Sequence, residues 1–226
     1  MSNKTLIEGL DSGDHKVGPA PLTFNTAKEE DDLSFWYEFK PFINADDGSM
    51  EIDFDHKFLW DDNLEDFDFK NPQVDPVNLS SSMVTLMREK GGYGLAANQL
   101  GLPLKMFVME GEPAYAIFNP RITYTGEEEI ILDEGCLSYP GMNLKVKRPR
   151  FMRARFQDPY GDYVTRQYDG ITARVFQHEF DHLLGVDFTQ KVSKLKRQMA
   201  LKKWKKKYGR TTLSLPVQRN ISLNTR

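Results

Sequence analysis

Apolar residues recur at helical spacing in the segment ITARVFQHEFDHLL, from Ile171 to Leu184. They lie three and four positions apart, which places them along one side of an α-helix. Asp169-Gly170 predicts a turn before the segment, and Gly185 predicts its end. The segment is therefore predicted to form an amphipathic helix.

A second helix is predicted to begin after Asp75, a favourable N-cap, with Pro76 at the first helical position. Its apolar residues keep helical spacing until Gly91-Gly92, where the helix is expected to stop. The stretch that follows, GYGLAANQLG, is typical of a glycine-rich loop between a helix and a strand.

Short segments rich in β-branched and aromatic residues lie between the two helices, separated by Gly, Pro or Asp. They are KMFVME, AYAIFNP, EEIILDE, MNLKVKR, FMRARFQD and DYVTRQYDG. Met152, Ala154 and Phe156 alternate with polar residues, which is typical of an antiparallel sheet with one wet face. Because no βαβ alternation is present, the predicted fold class is α+β, with antiparallel sheets packed around a central helix.

Charge divides the chain of 226 residues into three parts. Residues 1–67 form an acidic and aromatic extension, whose first ~27 residues lack periodicity and are expected to be flexible. Residues 68–190 are predicted to form one folded domain. Residues 191–226 comprise a basic helix and an irregular tail. In that helix Leu195, Met199 and Trp204 are expected to point inward.

Composition indicates a soluble protein of a reducing compartment. No apolar run approaches the ~20 residues of a membrane span, and the N-terminus lacks the pattern of a secretory signal. The single cysteine fits a compartment in which disulfides do not persist. We therefore expect a cytoplasmic protein without a membrane partner, and a monomer.

Two histidines and a glutamate in the first predicted helix form the pattern HExxH: His178, Glu179 and His182. At about 3.6 residues per turn both imidazoles project from one face. In this pattern the histidines bind a divalent metal, and the glutamate is a general base toward water. HExxH also occurs by chance in ordinary amphipathic helices with buried histidines. A third ligand elsewhere in the chain is therefore needed to distinguish a metal site from such a helix.

The third ligand separates the classes of HExxH protein. One peptidase family uses a downstream glutamate, but no Glu follows Glu179. Another extends the pattern to HExxHxxGxxH, but Phe188 stands where its third histidine should be. Cys136, the only cysteine, lies upstream in EGCLS. A thiolate with two imidazoles is a plausible set for zinc or ferrous iron.

Three blocks in this order, GYGLAANQ (Gly92 to Gln99), EGCLS (Glu134 to Ser138) and QHEFDH (Gln177 to His182), resemble the motifs of the peptide deformylases. The likeness covers about Asp68 to Gln190. It implies the family's fold, built around the HExxH helix. It also implies a ferrous hydrolase that removes the formyl group from nascent formyl-methionyl peptides and releases formate.

The resemblance also implies individual roles. Cys136, His178 and His182 would hold one divalent metal. Fe²⁺ is the metal expected from the resemblance, with Zn²⁺, Ni²⁺ and Co²⁺ as alternatives. Glu179 would move the proton, while the Gln99 amide and the Leu137 N–H would stabilise the oxyanion. The residues expected at the substrate are Gly94, Tyr93 and Ile171. Tyr93 is larger and more polar than the aliphatic residue usual there, so the resemblance does not define the shape of the methionine pocket.

Two other function classes stay open at this point: a metallopeptidase that cuts internal bonds, and a metal-stabilised scaffold whose charged ends bind partners. The missing downstream ligands disfavour the peptidase. Glu179 and Gln99 disfavour the scaffold, because a structural metal site needs neither a base nor an oxyanion donor. The basic C-terminal helix could contact the ribosome, or it could offset the acidic extension of the same molecule.

Overall fold

The computed structural model describes residues 50–52, 64–208 and 213–215. The expected flexibility of the first ~27 residues, and the acidic clusters up to Asp62, lie outside the described residues. The strands, in chain order, are β1 (Met50–Ile52), β2 (Gly94–Ala96), β3 (Met106–Met109), β4 (Tyr115–Thr125), β5 (Glu129–Glu134), β6 (Leu144–Pro149), β7 (Phe151–Gln157), β8 (Tyr163–Asp169) and β9 (Leu213–Leu215).

The strands form an antiparallel five-stranded sheet in the order β2-β3-β4-β7-β8 and a separate β5-β6 hairpin. All six predicted strand segments are present, and the α+β fold class is confirmed. Residues 94–96, expected within a loop, instead form β2, because they pair with β3 in the register Gly94↔Met109. That pairing is a long-range contact which local composition does not reveal.

Helices α1 (Pro76–Glu89), α2 (Gly170–His182) and α3 (Lys194–Tyr208) match the three predicted helices. Asp75 caps α1 by accepting hydrogen bonds from the N–H groups of Val77 and Asn78, at 2.8 and 2.9 Å. Gly185 follows α2 with a positive φ of 66°, as expected of a residue that ends a helix.

Helices α1 and α2 cover opposite faces of the five-stranded sheet. Met83 and Met87 of α1, both fully buried, belong to one core with Met106 of β3. Phe176 of α2 belongs to the other core and meets Phe107 edge-on, at 5.0 Å between ring centroids. The second core therefore holds α2, which carries the HExxH pattern, against the sheet.

The third helix packs against the β5-β6 region through Trp204, which is buried and donates to the carbonyl of Pro140 at 3.1 Å. The inward positions expected of Leu195 and Met199 are wrong: these side chains are 69% and 65% exposed. Only the second half of α3 lies over the core, so helical spacing alone overestimated the buried face.

Two terminal segments meet in a small sheet of their own. β1 pairs antiparallel with β9, in the register Met50↔Leu215. The pattern predicts an irregular tail, but three of its residues form β9. A strand from the acidic extension is thus hydrogen-bonded to a strand from the C-terminal tail.

Candidate metal centre

Helix α2 presents His178, Glu179 and His182 to the interior, with 8%, 4% and 1% of their surfaces exposed. The rings of His178 and His182 lie 5.1 Å apart between centroids. This is the common face that the four-residue spacing predicts. His182 is the last residue of the helix.

Cys136 lies in the loop between β5 and β6, and that loop brings it to α2. Its Sγ is 3.3 Å from Nε2 of His182. One ligand atom from each of Cys136, His178 and His182 can be chosen so that all lie within 4.8 Å of one another. The structure therefore brings together the thiol and the two imidazoles that the sequence singled out.

Gln99 faces this cluster from the 3₁₀ turn Ala97–Leu100, which follows β2. Its Oε1 accepts a hydrogen bond from the Ala96 N–H at 2.8 Å, so its Nε2 points the other way. That Nε2 lies 3.4 Å from the Cys136 sulfur and donates to Ser138 Oγ at 3.0 Å. The amide is thus oriented as a donor next to the ligands.

A cluster of buried, ion-paired side chains lies next to His178 and is centred on Glu134 of β5. Its Oε2 lies 3.1 Å from His178 Nδ1. Arg148 donates two hydrogen bonds to the same carboxylate, at 2.7 and 2.9 Å, and also forms an ion pair with Asp181. Arg174 adds a further bond to Glu134 at 2.7 Å. The contact with Glu134 engages Nδ1 of His178 and leaves its Nε2 for a metal.

The buried setting shifts the ionisation of these groups. Burial raises the pKa of Glu179 to about 7, which suits a group that must both take and give a proton at neutral pH. Burial would raise the pKa of Glu134 too, but hydrogen bonds from His178 and Arg148 outweigh it and lower that pKa. Burial lowers the pKa of His182 well below its usual value, which favours the neutral, ligating form.

The donor set fits a divalent metal. Within the described part of the chain, Nδ1 of His182 and Oε2 of Glu179 are buried without a hydrogen-bond partner. A thiolate with two imidazoles is a set that zinc and ferrous iron accept, with one position left for water or substrate. The unpartnered Glu179 oxygen would then have such a water as its partner.

Of the residues expected at the substrate, Gly94 lies directly against this centre. Gly94 is on β2, the edge strand of the sheet, and a Cβ built on it would lie 2.4 Å from Glu179 Oε1. Glycine is therefore required there for the close approach of the backbone to Glu179. The side chains of Tyr93 and Ile171 are 63% and 43% exposed. Both are accessible from solvent and do not belong to the packed core.

Comparison with known proteins identifies the family. The model of the family described as polypeptide deformylase matches residues 62–198. The chain belongs to the polypeptide deformylase family. The peptide deformylase of Thermotoga sp. is 39% identical over 122 residues, which cover 54% of this chain and 74% of that protein. The peptide deformylase of Treponema pallidum is 41% identical over 125 residues, covering 55% and 77%.

Solved structures of the family share the fold. The crystal structure of peptide deformylase from Thermus thermophilus aligns with a TM-score of 0.63 and 32% identity, covering 70% of this chain and 97% of that one. The enzyme from Synechococcus elongatus in complex with actinonin aligns with a TM-score of 0.62 and 29% identity, covering 72% and 90%. This family member is accordingly a metal-dependent hydrolase that deformylates the N-termini of nascent polypeptides.

Sequence reasoning missed the groups that support the ligands. One signal was present in the sequence: LKVKR alternates apolar and charged residues, so Arg148 stands at a position where the alternation calls for an apolar residue, and in the structure it is buried. An arginine at an inward position of a strand requires a buried acid as a partner. Glu134, inside the EGCLS block, was the candidate. Ser138 and Asn98, both fully buried beside the ligands, left no such signal.

Proposed function

We propose that Cys136, His178 and His182 hold one ferrous ion, and that this centre hydrolyses the formyl amide of formyl-methionine at the N-terminus of new polypeptides, releasing formate. The observation that carries the proposal is the buried Glu179 carboxylate, with one oxygen unpartnered among the described residues and a pKa of about 7, next to the three ligand atoms. A structural metal site has no use for such a group.

The reaction needs a nucleophile and a path for its proton. A bound divalent metal supplies Lewis acidity, which lowers the pKa of water toward neutrality and polarises the formyl carbonyl. Glu179 accepts the proton of the attacking water and returns it to the amine that leaves. Its pKa of about 7 makes both transfers accessible at neutral pH.

Charge that develops on the formyl oxygen requires donors. The Gln99 amide nitrogen, 3.4 Å from the Cys136 sulfur, is one. The backbone N–H of Leu137, the residue directly after Cys136, is the other. Removing one donor of this kind costs about 2.7–4 kcal/mol of transition-state stabilisation.

The peptide chain of the substrate would add to the free edge of the sheet. Within the described residues β2 pairs only with β3, so its other edge, which includes Gly94, is available to an extended peptide. Tyr93, which precedes Gly94, and Ile171, in the first turn of α2, are both exposed and would contact the methionine side chain. The polar tip of Tyr93 would lie at the pocket mouth, where it remains hydrated.

Ferrous iron is the proposed metal, with Zn²⁺, Ni²⁺ and Co²⁺ as alternatives, because thiolate and imidazole ligands accept all four.

We also propose that the chain has three parts. Residues 1–67 form an extension, residues 68–190 a catalytic domain, and residues 191–226 a basic helix with its tail. The enzyme would work as a cytoplasmic monomer. No helix among the described residues has the length and apolar character that crossing a membrane requires.

The basic helix α3 is the proposed contact with the ribosome. Among the described residues none of its lysines forms an ion pair with an acid, so their charge is available to phosphate. The alternative, that this charge offsets the acidic extension, is favoured by the pairing of β1 with β9. Binding of the full chain and of Lys202→Glu/Lys206→Glu to ribosomes, measured against salt, separates the two.

The catalytic proposal is tested by formate release from formyl-Met-Ala-Ser, using anaerobically purified enzyme loaded with ferrous iron. The wild type should release formate, and Glu179→Ala should release almost none while it still binds metal. Cys136→Ala should lose both metal and activity, whereas Glu89→Ala, at an exposed position of α1, should keep both. A wild type that binds metal but releases no formate would overturn the proposal.

A further inference from the structure

The C-terminal end of α2 carries a metal ligand at the point where a helix is least restrained. His182 is the last residue of α2, and the final carbonyl groups of an α-helix have no partner within the helix. Helix ends of this kind fray. The position of the His182 imidazole therefore depends on whatever holds the last turn from outside.

Among the described residues, two groups donate to the backbone carbonyl of His182. The N–H of Gly185 does so at 3.1 Å, but it belongs to the turn that directly continues the helix and moves with it. The other donor is the side-chain Nδ2 of Asn98, at 2.6 Å and 84 positions away in the chain. Of these two bonds, only the one from Asn98 ties the helix end to a separate element.

Asn98 is fully buried in the 3₁₀ turn Ala97–Leu100, one residue before Gln99. Gln99 reaches Cys136 and Ser138 on the other side of the site, at 3.4 and 3.0 Å. Neighbouring residues of one short turn thus contact both halves of the centre: Asn98 contacts the helix that supplies the histidines, and Gln99 contacts the loop that supplies the cysteine.

We propose that Asn98 is a positioning residue for the reaction: its amide anchors the last turn of α2, and so sets the place of His182 relative to Cys136 and Gln99. The inference rests on the proposed role of His182 as a metal ligand. This role requires a hydrogen-bond donor on the side chain at position 98, because the partner is a carbonyl oxygen that can only accept. Leucine fills a similar volume but cannot make this bond.

The test compares Asn98→Leu and Asn98→Ala with the wild type, and with Val84→Ala as a control for lost stability. Val84 is buried in the core on the opposite face of the sheet from α2. Four quantities are measured: the rate of metal loss to a chelator, the visible spectrum of the cobalt-loaded protein, kcat and KM for formyl-Met-Ala-Ser, and the unfolding midpoint in urea.

Both Asn98 variants should lose metal about 10–100-fold faster, the usual effect of removing a group that orients a ligand. Their cobalt spectrum should change and kcat should fall by a similar factor. KM should stay within about twofold, because Asn98 is fully buried and its amide is bonded to the His182 carbonyl. Val84→Ala should unfold at lower urea with the other three quantities unchanged. Asn98→Leu keeps the site filled, so it tests the bond if Asn98→Ala fails to fold.

Unchanged metal loss and kcat in an active background would overturn the inference, and so would variants that differ only in the unfolding midpoint. A wild type that holds metal and releases no formate would instead refute the proposed function, on which the inference depends. The two failures are therefore distinguishable in one set of measurements.

Discussion

Replacement of Gly94 by alanine should disable the general base without removing the metal. A Cβ at this position would lie 2.4 Å from Oε1 of Glu179, and 2.6 and 2.7 Å from its Cγ and Cδ. An ordinary contact between carbon and oxygen is about 3.4 Å. The carboxylate must therefore move by about 1 Å, because Gly94 lies in a paired strand that cannot retreat.

The size of the effect follows from that displacement. Misplacing a reacting group by about 1 Å can cost about 10²-fold in rate. We therefore expect Gly94→Ala to lower kcat by about 10²-fold, equivalent to about 2.7 kcal/mol of barrier. Metal content should stay unchanged, because the three atoms nearest to the new Cβ all belong to Glu179, which is not one of the proposed ligands.

The assay is formate release at saturating formyl-Met-Ala-Ser, with metal content measured on the same samples. Gly126→Ala is the matched control, since the three described atoms nearest to a Cβ there all belong to Phe151, the first at an ordinary distance of 3.4 Å. Gly94→Ala with a kcat within threefold of the wild type would refute the reasoning. A rise in KM alone would assign Gly94 to substrate binding and not to the placement of Glu179.

Three further substitutions test the supports of the fold. Glu134→Gln should destabilise the protein by about 3–5 kcal/mol in urea unfolding and weaken metal binding, because it leaves Arg148 and Arg174 buried without their acid. Tyr168→Phe should leave the unfolding free energy unchanged or raise it by about 1 kcal/mol, because the buried hydroxyl has no partner among the described residues. Asp75→Ala should lower the free energy of unfolding by about 1 kcal/mol through loss of the α1 cap, without a change in kcat.

Local chemistry was predictable where the sequence carries a period or a motif. Helices α1 and α2 were predictable because Asp75 caps the start of α1 and Gly185 ends α2. The shared face of His178 and His182 follows from helix geometry alone. Alternation along β7 likewise predicted which side chains are buried, because the period of a strand is two.

Contacts between distant segments were not predictable in this way. β2 was read as loop because its strand character comes from pairing with β3. The position of Asn98 in the sequence did not indicate its role, because its bond to the His182 carbonyl joins residues 84 positions apart. The exposure of Leu195 and Met199 depends on how far α3 extends past the core, which helical spacing does not encode.

The sequence by itself therefore singled out the groups that are proposed to do the chemistry: one thiol, two imidazoles, one carboxylate and one amide, each within a short motif. Only the tertiary structure decided their state and position. Burial sets the pKa of Glu179 near 7, Glu134 engages one nitrogen of His178, and Gly94 brings the sheet edge against the base. These properties arise from desolvation and from contacts across the fold, because neither exists until the helix, the loop and the sheet edge are packed together.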